Sequence, residues 1–357
     1  LDINTKGLVL SKIFVDACLG KETPHTPVWM MRQAGRYLSE YMAVRSKAGN
    51  FLNLCHNPSL AAEVTIQPLD IVGVDAAILF SDILVVPNEM GMHLEFLTGE
   101  GPVFKNPIKT KADLDALVGG EVAADKLSYV YETIKILRKQ LDERGDEKAL
   151  IGFCGAPWTI ATYMIEGEGT KTYNVCKKMM YSDPDLLHEI LKKVTEVTKF
   201  YLEKQIQSGV DVVQIFDSWA AAIEPNKYDE FSWSYMTQIA SYLKGKYPHI
   251  PIIMFPKGVA SFVEMGGVYG EFDVFGVDWS TPMELAKAKL GDRYVLQGNM
   301  EPCRLYDKDS TTKSIEQIHS VMGGKRHIFN LGHGILPDIP RENAIHFVSE
   351  CKRISKK

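Results

Sequence analysis

Two arginines stand four residues apart in Met31-Arg32-Gln33-Ala34-Gly35-Arg36-Tyr37, and Arg45 follows in the same stretch. Guanidinium groups present planar forks of N–H donors and keep their charge at any working pH, so such a pair suits a guest carrying several carboxylates or phosphates. If the segment is helical the two share one face; the plain alternative is pairing with Glu40 or Glu63 on a solvated surface. Asp82 closes Ala76-Ala77-Ile78-Leu79-Phe80-Ser81, a run almost free of polar atoms. An acid so placed needs donors and can accept several at once, or it caps a turn. His333 lies between Gly332 and Gly334, where backbone can approach closely and the ring can project into a pocket. Tyr163 and Ser218 read equally as neutral donors to a ligand or as satisfied core hydroxyls. Asp217 and Asp278 read equally as ligand contacts or as partners of Lys257 or an arginine.

Other chemistries lack their residues. No G-x-G-x-x-G, G-x-x-x-x-G-K-[ST] or G-x-S-x-G occurs, so neither a nucleotide cofactor nor a serine nucleophile elbow has support. The nine histidines are dispersed and the six cysteines show no CxxC or HxC spacing, so no catalytic metal is expected and the cysteines read as reduced thiols. A net charge of −5 argues against nucleic acid as a partner, yet a local arginine cluster can still oppose it. No stretch reaches the roughly 18 apolar residues that cross a bilayer. Leu1 to Asp16 lacks a secretory core, so a cytoplasmic protein is expected.

These residues need a scaffold, and the chain supplies a repeating one. Eight short apolar runs recur: Val28 to Met31, Ala76 to Ser81, Ala149 to Cys154, Val212 to Phe216, Ile250 to Phe255, Val274 to Val277, Tyr294 to Leu296 and His327 to Leu331. Helical periodicity fills the spacers, as in Pro184 to Gly209, where Leu186, Leu187, Ile190, Leu191, Val194, Val197 and Leu202 make one apolar face. Runs apolar throughout suit strands buried on both faces under crossover helices. The count predicts an α/β fold, a single (β/α)8 TIM barrel over residues 1–357, in preference to a doubly wound open sheet. Between the second and third runs, Gly91 to Phe96 and Gly99 to Pro102 predict an inserted hairpin.

Barrel chemistry sits at the carboxyl ends of the strands, and there the runs exit into Arg32 to Tyr37, Asp82, Gly155-Ala156-Pro157-Trp158-Thr159, Asp217-Ser218-Trp219, Pro256-Lys257-Gly258, Asp278-Trp279, Gln297-Gly298-Asn299 and Gly332-His333-Gly334. Six of these blocks in order, Met31 to Tyr37 with Pro27-Val28-Trp29-Met30 ahead of it, Phe80-Ser81-Asp82-Ile83-Leu84, Gly155 to Thr159 with Tyr163, Gln214 to Trp219, Gln297-Gly298-Asn299 and Asn330 to Gly334, resemble the uroporphyrinogen decarboxylase family over essentially the whole chain. Tyr41, where phenylalanine is expected, and Ile335-Leu336-Pro337 are mild departures.

The resemblance implies a distorted barrel that decarboxylates the four acetate arms of uroporphyrinogen, III or I, to give coproporphyrinogen, without a cofactor, in a homodimer whose mouths face each other. It implies that Arg32, Gln33, Ala34, Gly35, Arg36, Arg45, Tyr163, Ser218 and His333 bind substrate, that Phe80, Phe216 and Tyr41 line apolar walls, and that Asp82 and Arg32 are catalytic. Asp82 would accept from the pyrrole N–H groups and stabilise a protonated ring, while the proton source stays open among Arg32, a substrate carboxyl and a water. A barrel methyltransferase is the enzymatic rival, but the fifth run exits into Pro256-Lys257-Gly258 and offers no HxC ligand pair. A non-catalytic porphyrin carrier is the other rival, and it has little use for Asp82.

Overall fold

The computed structural model describes residues 12–97, 101–145 and 147–357. Seven parallel strands form one sheet: β1 (Ala76–Ile78), β4 (Ala149–Gly155), β5 (Val212–Asp217), β6 (Ile252–Pro256), β7 (Val274–Gly276), β8 (Val295–Gln297) and β9 (His327–Ile328), hydrogen-bonded in that order. β2 (Leu94–Leu97) and β3 (Gly101–Phe104) pair antiparallel as the predicted inserted hairpin; Gly99 and Glu100 lie outside the described residues, as do residues 1–11. Every residue of β4, β6, β7, β8 and β9 is buried, the condition that uniformly apolar runs meet when helices cover one face and the barrel interior the other.

The first expected strand is reduced to a single parallel bridge, Val28 with Phe329. It still closes the ring. Phe329 N donates to Pro27 O at 2.9 Å and Trp29 N to Phe329 O at 3.2 Å, while on the other side Asp75 N donates to Val28 O at 2.8 Å. Beyond Trp29 side chains replace the ladder: Met30 N donates to Gln33 Oε1 at 3.2 Å and Met31 N to Asn330 Oδ1 at 3.1 Å. The chain is thereby freed from sheet geometry and turns across the mouth at Arg32.

The long helix predicted from its apolar face runs Pro184–Ser208, and all seven residues named for that face are buried. Asp183 accepts from Leu186 N at its start and Gly209, at φ +116°, ends it in the left-handed conformation that glycine adopts without a steric cost. Among the described residues no helix is long and apolar enough to cross a membrane.

Candidate active site

Arg32 and Arg36 do not share a helical face. Residues 31–37 form successive turns and the next helix begins only at Ser39, carrying Arg45 within Ser39–Ala48. Arg32 itself takes φ +62°, a conformation uncommon for any residue with a Cβ and characteristic of positions over-determined by their surroundings. Glu40 pairs with Arg341 at 2.7 Å, and among the described residues no carboxylate lies within 4.0 Å of Arg32, Arg36 or Arg45. Arg45 instead lies near the Tyr41 hydroxyl, whose pKa burial raises against the downward pull of this guanidinium, and stands 5.9 Å from the Phe51 ring centroid.

Gln33 is fully buried, and its amide is spent within the fold: Oε1 accepts from Met30 N, Nε2 donates to Ala76 O at 3.0 Å, and its carbonyl accepts from Tyr37 Oη at 2.8 Å. Its side chain therefore holds the turn and, fully buried, is turned into the fold. Ala34 and Gly35 are half-buried on that turn, and a Cβ on Gly35 would meet Arg32 O at 2.8 Å.

Asp82 follows β1 after Phe80 N has been anchored on Thr65 Oγ1 at 3.0 Å. Its Oδ1 accepts from Leu84 N at 2.8 Å, so the turn-capping reading is correct for that oxygen, while Oδ2 has no protein donor among the described residues. The side chain reaches the mouth but is deeply enveloped by protein. Burial therefore raises its pKa above the usual carboxylate range, against the opposing pull of the Leu84 N–H and the Arg32 guanidinium.

Tyr163 projects from the helix Pro157–Glu166 with its ring 6.0 Å from that of Trp219, and its hydroxyl pKa is shifted upward by burial in a field that includes Asp82 and Arg32. Ser218 lies half-buried at the end of β5. Beside it Asp217 is wholly buried and accepts three hydroxyls, from Thr159 at 2.6 Å, Tyr228 at 2.9 Å and Ser232 at 2.6 Å. Asp278 is likewise filled by Ser280 and Thr281. Neither acid forms the ion pair with Lys257 or an arginine that the sequence left open, and both serve to shape the loops around them.

His333 is half-buried with no hydrogen-bond partner on Nδ1. Burial, then Lys257 and Arg32, push its pKa down to about 3, so the ring is neutral at pH 7. Gly332 is required by contact, since a Cβ there would lie 2.2 Å from Trp279 N, and Gly334 leaves room for the arginine arm, since a Cβ there would lie 2.3 Å from Arg32 Cδ. Apolar walls complete the mouth. Phe80 packs 5.7 Å from both Tyr41 and Phe51, Phe51 4.9 Å from Phe96, and Phe216 stands 5.6 Å from Phe153 and 5.9 Å from Phe255. Phe51 and Phe96 escape sequence reasoning, although the inserted hairpin that carries Phe96 was an available signal; Lys257 and Gly334 were legible at strand exits, but without a ligand-contacting role for Lys257 or a contact with Arg32 for Gly334.

Unpaired guanidinium groups, a desolvated carboxyl and aromatic walls at the strand ends of a barrel define an enzyme site for a large, apolar-faced polyanion. Among the described residues no three His, Cys, Asp or Glu side chains converge to hold a metal ion. The family model for uroporphyrinogen decarboxylase (URO-D) matches residues 10–354. The uroporphyrinogen decarboxylase of Aliarcobacter butzleri (strain RM4018) is 78% identical over 98% of this chain and 100% of its own length, and that of Campylobacter fetus subsp. fetus (strain 82-40) is 62% identical over 97% and 99%. A solved methyltransferase from Methanosarcina mazei matches at TM-score 0.79 and 21% identity, covering 96% of this chain and 97% of that one, and at this identity it shows a shared fold alone. The chain belongs to the uroporphyrinogen decarboxylase family, carboxy-lyases of porphyrin biosynthesis.

Proposed function

We propose that this enzyme converts the four acetate arms of uroporphyrinogen, isomers III and I, to methyl groups, releasing carbon dioxide and coproporphyrinogen, with Asp82 as the group that balances the cationic intermediate. Protonation of a pyrrole carbon makes the ring cationic. The bond to the acetate carboxyl then breaks, its electron pair flows into the ring, and a second protonation at the exocyclic carbon, with loss of the ring proton, leaves a methyl group. One proton is consumed for each carbon dioxide lost.

The observation that carries the reading is Asp82 itself. A carboxyl whose Oδ1 is fixed by Leu84 N, whose Oδ2 is open and whose charge is poorly solvated can accept pyrrole N–H groups and stabilise positive charge where it develops. Arg32, Arg36 and Arg45 supply unpaired forks for the peripheral carboxylates, converting remote binding energy into orientation of the reacting ring. Tyr163, Ser218, His333 and the Arg32–Arg36 turn, including the backbone of Gln33, Ala34 and Gly35, complete the contacts. The proton comes from Arg32, a substrate carboxyl or a water.

The reading includes a homodimer with facing mouths, which the 47% exposure of Trp279 at a strand exit and the 42% exposure of Met42 beside the first exit support. It also places the enzyme in the cytoplasm, acting without metal or cofactor. The test is incubation with anaerobically prepared uroporphyrinogen, followed by chromatography for seven-, six-, five- and four-carboxyl products. Asp82→Asn is expected to lower turnover at least about a hundredfold with an unchanged circular dichroism spectrum; near-normal turnover removes Asp82 from the mechanism.

A further inference from the structure

Lys257 is the first residue beyond β6, and its main chain is held on both sides. Its N–H donates to Asp217 O at 3.0 Å, and its carbonyl accepts from Ala221 N at 3.1 Å. The chain then turns away at Gly258, φ +76°, where a Cβ would stand 2.7 Å from the Ala221 Cβ. The root of the side chain is therefore fixed at the rim. The lysine is half-buried, and the groups that act on it or feel its charge are Arg32 from the first exit, Asp278 from the sixth and His333 from the last.

A half-buried ammonium group normally ends on a carboxylate. Asp278 is the acid within electrostatic reach, but both of its oxygens are occupied: Oδ2 accepts from Ser280 N at 3.0 Å and Ser280 Oγ at 2.5 Å, and Oδ1 from Thr281 Oγ1 at 2.6 Å. No acid among the described residues comes within 4.0 Å of the Lys257 nitrogen. Arg32 adds a second positive charge, and the neutral His333 cancels neither. This corner of the mouth thus brings together two cations from separate strand ends, and no carboxylate among the described residues lies within 4.0 Å of either.

We propose that Lys257 is a further substrate-binding residue, whose ammonium group receives a carboxylate arm of the tetrapyrrole alongside Arg32. This rests on reading the mouth as a uroporphyrinogen site. Lysine acts as a point charge where the arginines act as forks, so it anchors an arm without dictating the plane of its carboxyl. A ligand acid placed there supplies the counterion that Asp278, already saturated, does not.

The experiment compares the full-length parent with Lys257→Met, Lys257→Gln and Lys257→Arg, each checked for an unchanged circular dichroism spectrum. Two readouts are taken: the KM and kcat for uroporphyrinogen, and the Kd for uroporphyrin, an octacarboxylate, by fluorescence titration. The expected result is a rise of about tenfold or more in KM and in Kd for the two uncharged variants, a smaller change in kcat, and recovery to within a few-fold in Lys257→Arg. Using two uncharged variants keeps the comparison decisive if one fails to fold. KM and Kd within twofold of the parent in a folded uncharged variant overturn the proposal. A parent that binds uroporphyrin but leaves uroporphyrinogen unchanged overturns the decarboxylase reading instead, and Lys257 is then judged on the Kd series alone.

Discussion

The side chain of Arg32 lies across Gly334: a Cβ built on that glycine would stand 2.3 Å from Arg32 Cδ, 2.7 Å from Cγ and 2.8 Å from Nε. The first and last strand exits are locked together through this contact, and the three nearest atoms all belong to the one arginine.

Gly334→Ala is therefore a substitution that moves Arg32. The φ of Gly334 lies outside the left-handed range, so alanine suits the backbone there and the strain falls on the guanidinium arm. Displacement of a positioning group by about 1 Å can cost about a hundredfold in rate. The expected outcome is a fall of 10- to 100-fold in kcat/KM, with thermal unfolding within a few degrees of the parent. Full activity would show that the position of Arg32 is not critical.

Asp82 carries a linked pair of expectations. Burial holds its folded pKa above the unfolded value, so the stability linked to this group is present below the unfolded pKa and is lost as pH rises through the folded one. At neutral pH the ionised carboxylate thus costs stability, while asparagine retains an oxygen to accept from Leu84 N. Asp82→Asn is expected to melt no lower than the parent at pH 7.5 although turnover collapses. In carbon-13 spectra of the ligand-free enzyme, the carboxyl resonance absent from this variant should titrate above about pH 4, the ordinary aspartate value. In Arg32→Gln it should move higher still, because the opposing cation is gone. A midpoint at or below the ordinary value contradicts the account.

His333 should behave as a neutral ring. Its pKa of about 3 predicts no change in its proton or nitrogen-15 imidazole shifts between pH 5 and pH 8 in the ligand-free enzyme. Any limb near neutrality in the pH profile should accordingly survive in His333→Asn. A titration midpoint for His333 between 5 and 8 would falsify this role as an uncharged contact.

Much of the scaffold was legible because burial on both faces writes itself into runs such as Ala149 to Cys154, and because the Pro184–Ser208 helix shows its face at helical spacing. Strand limits differ from expectation by one to three residues where they depend on partners, β1 and β9 each ending three residues early. Val28 to Met31 reads as a strand, yet its ladder stops once Gln33 and Asn330 side chains take over Met30 N and Met31 N. The site was legible as a set of residues at strand exits and less so as geometry. Nothing local indicates that Arg32 takes a positive φ, because the contact with Gly334 that accompanies it lies 302 positions away. Gln33 sits between two plausible ligand-binding arginines, and burial alone reveals that its amide is committed to Met30 and Ala76.

Asp75 offers a test of barrel closure separate from the chemistry, since it precedes β1 at the end of the barrel opposite the mouth. It is 2% exposed; Oδ2 accepts from Val28 N at 3.0 Å and meets His25 Nε2 at 3.2 Å, while Oδ1 meets Lys148 at 3.1 Å and Lys352 at 2.8 Å. Burial pushes this carboxyl's pKa up, but the hydrogen bond with His25 and the charges of Lys352 and Lys148 outweigh it and hold the group well below the usual range. Asp75→Asn removes the anion and leaves two lysines near a buried point, so about 3 kcal/mol should be lost from urea unfolding at pH 7. Because the folded pKa is depressed, the stability Asp75 contributes is present above the unfolded value of about 3.9 and lost as pH falls toward the folded one, so the gap between parent and variant should narrow below about pH 4. The kcat/KM of the folded variant should stay within a few-fold of the parent, since the substitution touches no residue of the mouth. A variant as stable as the parent at pH 7 would show that the backbone bonds through Val28 close the ring without this clamp.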